Sequence, residues 1–497
     1  MRGTFARSLA VAFVMFAGLF GLEFFLEWRR LGMPGLHEMS WADTNNAKLV
    51  DLLSPMARAY NNVLAMLLAT IGLAIPLTAN MHTPKLIDMF LRDRINRFVL
   101  SFMALGAAHV LFVAYLIGPE FAPIWAIRVA VVFAITGWVV LIPYFFYVVR
   151  FLDPSRVVTR LQREARSIMH RVARGKARPS AGQQELSFRI DQIGTIVLKS
   201  LDRADRSVAR EGIWSLKQLI DEHAALKSRM PEAWFQVDRA DFVGLSAEAL
   251  DMLTESRTWV EMKCGLQLSL GYQHALSKAS DTVSSFSDAN RVIGAAADAR
   301  RDDEALRLSV RFFNNYLREA IKTRNLHAVD DVFHQYRLLG RELTDRGGLV
   351  REVAGHFVYY AEMARMFGLV FAPQLAIFDL GYIVRRAYEA GAEASSDLLD
   401  VVLRMPHRHG TDLHTLAVKA KIILGGFFLE NGHADEAARV RANLSDVEPA
   451  QIKAAGADIL DADRVFFEVT DRQLNLEYVP PERREPLRRF CASLNAA

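Results

Sequence analysis

The stretch MHTPKLIDMFLRDRINR, residues 81–97, joins two long apolar runs and decides how the first part of this chain folds. The run before it covers residues 63–79, and the run after it covers residues 98–117. Each approaches the roughly 20 residues that a helix needs to cross a hydrocarbon core. Because the connection is short, basic and amphipathic, the sequence predicts a transmembrane hairpin.

Four apolar runs in total lie within the first 150 residues, and they predict spans at about residues 8–28, 59–79, 98–118 and 124–149. The first run follows two arginines, as a signal peptide does, but it has no small-residue cleavage site and is interpreted as a retained helix. The rest of the chain has helical periodicity. The predicted fold class is therefore all-α, with a four-helix transmembrane region followed by a cytoplasmic α-helical domain.

The basic residues predict the orientation. They gather in residues 85–97 and 150–178, whereas the loop at 119–123 has neither Lys nor Arg. By the positive-inside rule, both termini are expected on the cytoplasmic side of the membrane. Seven basic residues are expected to contact headgroups of the anionic inner leaflet: Lys85, Arg92, Arg94, Arg97, Arg156, Arg160 and Arg163.

Five polar residues in or beside the spans are candidates for a function in the membrane, because a polar group in lipid is costly. They are Glu23, Asn61, Asn62, His109 and Arg128. We expect Glu23 to pair with Arg128, either to orient helices or to form an ion or substrate vestibule. His109 is expected either to bond a neighbouring helix or to contact a proton or ion.

The connection between the spans also resembles a known family. The matching positions are Pro84, Leu86, Phe90, Leu91, Arg92, Asp93, Arg94 and Asn96. Over about residues 50–220 the chain is similar to the bacterial predicted membrane proteins called domain of unknown function 2254. The resemblance implies an integral inner-membrane protein and brings no known activity. Two family features after the last span, an Asn-Asp-Pro turn and a β-rich insertion, have no counterpart here, so no role of theirs is transferred.

Composition excludes several classes of function. The net charge of +4 accompanies arginine-rich flanks of the spans, and no basic–aromatic nucleic-acid module appears, so we expect no nucleic-acid partner. Cys264 and Cys491 match neither a disulfide framework nor a zinc spacing. The polar run with His407, His409 and His414 offers metal ligands but no complete set. We therefore predict no metal, no cofactor and no catalytic site.

Four regions are predicted. They are a transmembrane domain (1–150), a basic juxtamembrane helix and linker (151–183), a cytoplasmic helical domain (184–300) and a helical-repeat-like domain (301–497). The juxtamembrane helix has an apolar side that suits a lipid surface. Within the last region, a phrase at Asn325 recurs loosely at Asn431, which suggests three units of about 35 residues. This pattern leaves a tetratricopeptide-like α-solenoid and an irregular helical bundle open.

Two functions remain open at this point. One is a non-enzymatic inner-membrane protein whose helical domain binds protein partners or assembles into a homo-oligomer. The other is an oligomeric ion channel or transport conduit gated by that domain. Small residues at helical spacing, in residues 65–72 and 126–137, suit close helix packing in either case.

Overall fold

The computed structural model describes residues 46–81, 87, 90–91, 93–117, 124–237, 242, 244–405, 412–465, 472 and 475–495. All regular structure in these residues is helical, with α-helices, short 3-10 turns and no strand. The predicted all-α class is confirmed for this part of the chain. Two compact units are present, Met1–Thr159 and Arg160–Ala497.

The first unit contains three long helices: α1 (Asn46–Met81), α2 (Arg94–Leu116) and α3 (Ile124–Leu152). Within them, Leu53–Pro76, Arg94–Tyr115 and Ala126–Leu152 are long and apolar enough to cross a membrane. These segments correspond to the second, third and fourth predicted spans. The first predicted span, residues 8–28, lies outside the described residues.

The helices of the first unit are apolar on both their inner and outer faces. Inside, Ala57 of α1, Val110 of α2 and Ala130 of α3 are buried in one cluster. Outside, Leu73 and Ile142 are 73% and 66% exposed. A helix that is apolar all round is typical of a membrane span, because its outer face meets lipid rather than water.

The fourth helix, α4 (Pro154–Ala173), has one strongly apolar side. The sequence predicts lipid contact there, but Leu161, Ile168 and Val172 are buried within the protein. A Cβ placed on Gly182 would lie 2.6 Å from Val172 Cγ2, so α4 packs closely on the next helix. The expectation of lipid contact by this apolar side is therefore wrong, and only the charged side of α4 remains available for headgroups.

The second unit continues with fourteen further described helices. These are α5 (Pro179–Asp202), α6 (Arg206–Leu226), α7 (Ala247–Ser256), α8 (Trp259–Lys278), α9 (Val283–Ala299), α10 (Asp303–Lys322), α11 (Leu326–Glu342), α12 (Gly347–Met366), α13 (Phe371–Glu389), α14 (Ser395–Arg404), α15 (Asp412–Glu430), α16 (Ala434–Asn443), α17 (Pro449–Asp461) and α18 (Pro481–Asn495). Since α5 begins at Pro179, the segment joining it to α4 is only residues 174–178.

Alternate helices of this unit pack side by side in two rows. Helices α8, α10, α12 and α14 contact one another in order, and so do α9, α11, α13 and α15. The first-row helices that begin at Trp259, Asp303 and Gly347 start 44 residues apart. That spacing exceeds the predicted 35 residues and falls in the range of about 40–47 residues that is typical of larger helix-pair repeats.

Several turns between successive helices of this unit share one geometry. Arg301, Arg324 and Gly432 have positive φ, and the N–H of the following residue bonds a carbonyl five positions back. This arrangement satisfies the last free carbonyls of the preceding helix.

The phrase that recurs at Asn325 and Asn431 occupies different places in two of these turns. Asn325 follows the left-handed Arg324 and caps α11, where its side chain accepts from Ala328 N at 3.1 Å. Asn431 instead precedes the left-handed Gly432, and its side chain bonds back to Phe427 O. The recurrence therefore does not mark a structural repeat. The asparagine precedes the start of a helix in the first phrase and follows the end of a helix in the second.

Candidate functional site

Asp93 organises the end of the predicted hairpin. It lies directly before α2, and its carboxylate accepts hydrogen bonds from Ile95 N at 3.0 Å and Asn96 N at 3.2 Å. The hydroxyl of Tyr147, near the end of α3, donates to the same carboxylate at 2.7 Å. Asp93 therefore caps one membrane helix and ties it to another.

Asn96 and Phe90 complete this arrangement. The buried Asn96 amide donates to Phe90 O at 3.0 Å. The Phe90 ring is buried and packs edge-on against Phe151, with ring centroids 5.5 Å apart. These contacts give three of the family-matching positions a structural role that sequence analysis missed. An aspartate directly before a helix was the available signal for the cap.

The basic residues near the hairpin lie on the protein surface where the structure describes them. Arg94, Arg97 and Arg163 are exposed, and Arg160 is half-buried. Arg156 is exposed and bonds Asp153 at 3.2 Å. Lys85 and Arg92 lie outside the described residues. Headgroup contact by this set stays a prediction.

A buried tyrosine joins the three membrane helices. Tyr60 of α1 is 1% exposed, and its hydroxyl donates to Met103 Sδ of α2 at 3.4 Å. A Cβ on Gly106 would lie 2.7 Å from the Tyr60 hydroxyl, and one on Gly137 would lie 2.3 Å from its ring. Glycine at both positions therefore makes room for the ring between α2 and α3.

The candidate polar residues of the spans occupy different surroundings. His109 Nε2 lies 3.3 Å from Ala126 O, so the imidazole of α2 reaches the backbone of α3. Asn61 donates to Ala57 O within its own helix at 2.9 Å, whereas Asn62 is exposed. Arg128 is exposed. Glu23 lies outside the described residues, so its pairing with Arg128 stays a prediction.

The first part of the chain, which contains these helices and the motif between them, is similar to a known family. Residues 3–204 match the family of predicted membrane proteins DUF2254. The resemblance drawn from the hairpin sequence is confirmed, and the DUF2254 segment ends just after α5. Helices α6–α18 lie beyond it. No curated protein and no solved structure matches the chain significantly.

Beyond the DUF2254 segment, a groove of about 580 Å³ crosses three helices of the first row, α8, α10 and α12. Arg311 and Arg318 of α10 and His356 of α12 give it cationic and polar character. Tyr359, beside them, is 58% exposed. The groove thus combines positive charge with an exposed aromatic ring, a combination that suits recognition of an acidic polypeptide segment.

A buried ionic network lies elsewhere in the second unit. Arg472 is 8% exposed and bonds Asp330 of α11 at 2.5 Å and Asp379 of α13 at 2.5 and 2.7 Å. Arg337 Nε lies 3.4 Å from Asp379, and Arg337 also donates to His334 Nδ1 at 3.0 Å. A buried charge needs such partners, because a single unpaired ion is strongly destabilising. The network therefore ties the segment at Arg472 to the second row.

The buried ionic network affects the pKa of His334, which lies beside it. Burial lowers its pKa to about 3, and the positive charges of Arg472, Arg337 and Arg291 act in the same direction. The hydrogen bond from Arg337 also occupies Nδ1, which then cannot carry a proton. His334 is therefore neutral at physiological pH.

Two observations in the described residues concern metal ligands and thiol groups. No group of three or more His, Cys, Asp or Glu side chains there is placed to hold a metal ion. His407 and His409 lie outside the described residues. Burial raises the pKa of Cys264 well above its usual value and that of Cys491 to about 11, so neither thiol is readily ionised.

Proposed function

We propose that this protein is a non-enzymatic, multi-pass protein of the bacterial inner membrane whose cytoplasmic helical array binds a protein partner or a second copy. The array is of α-solenoid type, and the two rows of alternating helices support that reading. Such arrays present extended surfaces for binding. Membrane lipids of the anionic inner leaflet surround its basic flanks, and both termini face the cytoplasm.

The groove across α8, α10 and α12 is the observation that carries the proposal. Its positive charge and the exposed ring of Tyr359 fit an acidic segment of a partner better than a small substrate. An acidic partner reaches a cationic groove faster and binds it more selectively.

Charge reversal tests the proposal. The full chain is purified in mild detergent and its bound proteins are quantified by mass spectrometry. The double variant Arg311→Glu with Arg318→Glu is expected to lose a specific partner, or self-association, that the wild type retains. Arg210→Glu, at an exposed position of α6, provides a control for the change of charge. Equal recovery from all three proteins, or recovery of a lone monomer from the wild type, would contradict the proposal.

Fusions at the carboxyl terminus test the proposed orientation. A reporter that is fluorescent only in the cytoplasm is expected to be active, and a phosphatase that is active only in the periplasm is expected to be silent. The opposite result would place the helical array outside the cytoplasm and reject this part of the proposal.

An oligomeric ion channel or transport conduit is the second candidate. Ala65, Ala69 and Gly72 form an exposed stripe on α1, and nothing lies within 4 Å of a Cβ on Gly72. Small residues on an outer face allow close approach of another helix. Ion flux into liposomes is expected under this candidate, with a change on Ala69→Leu or His109→Ala. Absence of flux rejects it.

A further inference from the structure

A cavity of about 220 Å³ lies between α11, α13, α15 and the first turn of α18. Three arginines from different helices line it, namely Arg337, Arg385 and Arg483. The side chains of Asn475 and Tyr478 are also part of its wall. We call this cavity the arginine pocket.

Two of these arginines have carboxylate partners. Arg337 lies 3.4 Å from Asp379, whose two oxygens are already bonded to the buried Arg472. Arg483 Nε lies 3.3 Å from Glu430. Asp330 also pairs with Arg472, so the two arginines and two aspartates of that network balance in charge.

Arg385 differs from both, since it makes no hydrogen bond or ion pair with any residue that the structure describes. Its guanidinium carbon lies 5.7 Å from the centre of the Tyr382 ring, and that of Arg337 lies 4.6 Å from the same ring. Burial, together with the neighbouring charge of Arg483, lowers the pKa of Arg385 to about 10, against the opposing effect of Glu389. A cation in this position carries hydrogen-bond donors that no protein group uses.

An oxyanion would accept the hydrogen bonds that the Arg385 guanidinium does not make within the protein. The planar guanidinium presents paired donors that match the oxygens of phosphate. Arg483, in the first turn of α18, brings a further guanidinium group to the same cavity. The volume is below the range of about 300–1,000 Å³ that is typical of larger organic ligands, so the anion is small.

We propose that the arginine pocket binds a phosphate monoester, with Arg385 holding the phosphate between Arg337 and Arg483. This site goes beyond the proposed protein-binding function and lies apart from the groove that carries it. Experiments can therefore disprove the phosphate site and the protein-binding groove independently of each other.

Titration calorimetry on the full chain in detergent tests the site. Glycerol 3-phosphate and inorganic phosphate are the probes, with ionic strength held constant by sodium chloride. The wild type is expected to bind, and Arg385→Gln is expected to weaken binding at least tenfold. Arg404→Gln, at an exposed position of α14, is the control and is expected to bind as the wild type does. No response to phosphate beyond that to chloride, or equal binding by Arg385→Gln, would overturn the proposal.

The unliganded proteins provide a check on folding. Arg385→Gln removes a half-buried cation that makes no hydrogen bond or ion pair with the described residues, so its unfolding temperature without ligand is expected to equal or exceed that of the wild type. Added glycerol 3-phosphate is expected to raise the unfolding temperature of the wild type but not of this variant. A rise of equal size in both proteins would count against the site.

Two sources of the phosphate group are separated by a further titration. Dioctanoyl phosphatidate in micelles presents the same monoester as a lipid headgroup. Tighter binding of the lipid than of glycerol 3-phosphate assigns the pocket to a headgroup, and the reverse order assigns it to a soluble metabolite. Binding of neither overturns the proposal.

Discussion

At the scale of single residues, Asp93 shows how a short motif stabilises the membrane unit. Its one carboxylate accepts two backbone bonds at the start of α2 and one hydroxyl bond from α3. Arg92 and Arg94 lie on either side of Asp93, but exposed charged groups add little to stability. The hydrogen bonds that the Asp93 carboxylate accepts matter more for the fold.

Replacing Asp93 by alanine is expected to destabilise the protein by roughly 1–2 kcal/mol, because the helix cap and the partner of Tyr147 are lost together. Thermal unfolding in detergent measures the change. Arg97→Ala, on an exposed side of the same helix, is expected to leave the transition nearly unchanged. Similar losses in both variants would show that the cap has no special role.

Arg324 occupies a left-handed conformation, with φ of 53°, that favours glycine. Its exposed side chain makes no contact that would compensate in the described structure. Arg324→Gly is therefore expected to stabilise the protein by about 0.5–1 kcal/mol, whereas Arg324→Ala keeps the strain. Chemical denaturation compares the two, and a glycine variant no more stable than the alanine variant would contradict the explanation.

The lowered pKa of His334 predicts a pH dependence. Between about 6.5 and about 3 the unfolded chain binds a proton at this histidine and the folded chain does not, so stability falls as the pH is lowered. His334→Gln is expected to make that fall smaller, as measured by unfolding at pH 7 and pH 4.5. His327→Gln, at an exposed position of the same helix, should keep the full dependence.

At the scale of elements, close packing of helices sets the membrane unit. The Tyr60 ring fills the space that two glycines leave on α2 and α3, so the helices meet around an aromatic side chain. The sequence predicts small-residue contacts on α3, and Gly137 is buried there. The stripe on α1 is exposed instead.

Gly137→Ala is expected to destabilise the first unit by about 1–3 kcal/mol, because the new methyl group would overlap the Tyr60 ring. Gly72→Ala is the matched control, since nothing lies within 4 Å of its Cβ position. Thermal unfolding of both variants in detergent measures the difference. An effect of equal size at the two glycines would contradict the packing described around Tyr60.

At the scale of the whole molecule, α4 belongs with the helical array through its buried side. Ile168 and Val172 pack on Gly182 of α5, while Arg166 and His170 bond Glu222 of α6 at 2.9 and 2.6 Å. The basic helix is thus a structural part of the second unit as well as its connection to the first.

A fragment of residues 153–497 is therefore expected to be helical, monodisperse and soluble without detergent. A fragment of residues 179–497 lacks α4 and exposes the apolar surface that α4 covers, so it is expected to aggregate or to unfold at a lower temperature. Circular dichroism and size-exclusion chromatography compare the two. Identical behaviour would show that α4 adds nothing to the array.

Local sequence by itself determined three of the apolar spans and the all-helical class of the described residues. Helix periodicity and end signals arise within one or two turns of chain, so a single sequence contains them. The 35-residue repeat had no such basis, because two similar phrases of a few residues do not specify which helices pack together.

The tertiary structure alone decided which distant groups meet. Arg472 and Asp330 are separated by 142 residues and form one buried network, and the arginine pocket draws its charges from three helices. The ring of Tyr60 likewise finds its space on two other helices. Side-chain contacts of this kind depend on how helices pack, and that packing is set by the fit of whole surfaces rather than by any local pattern.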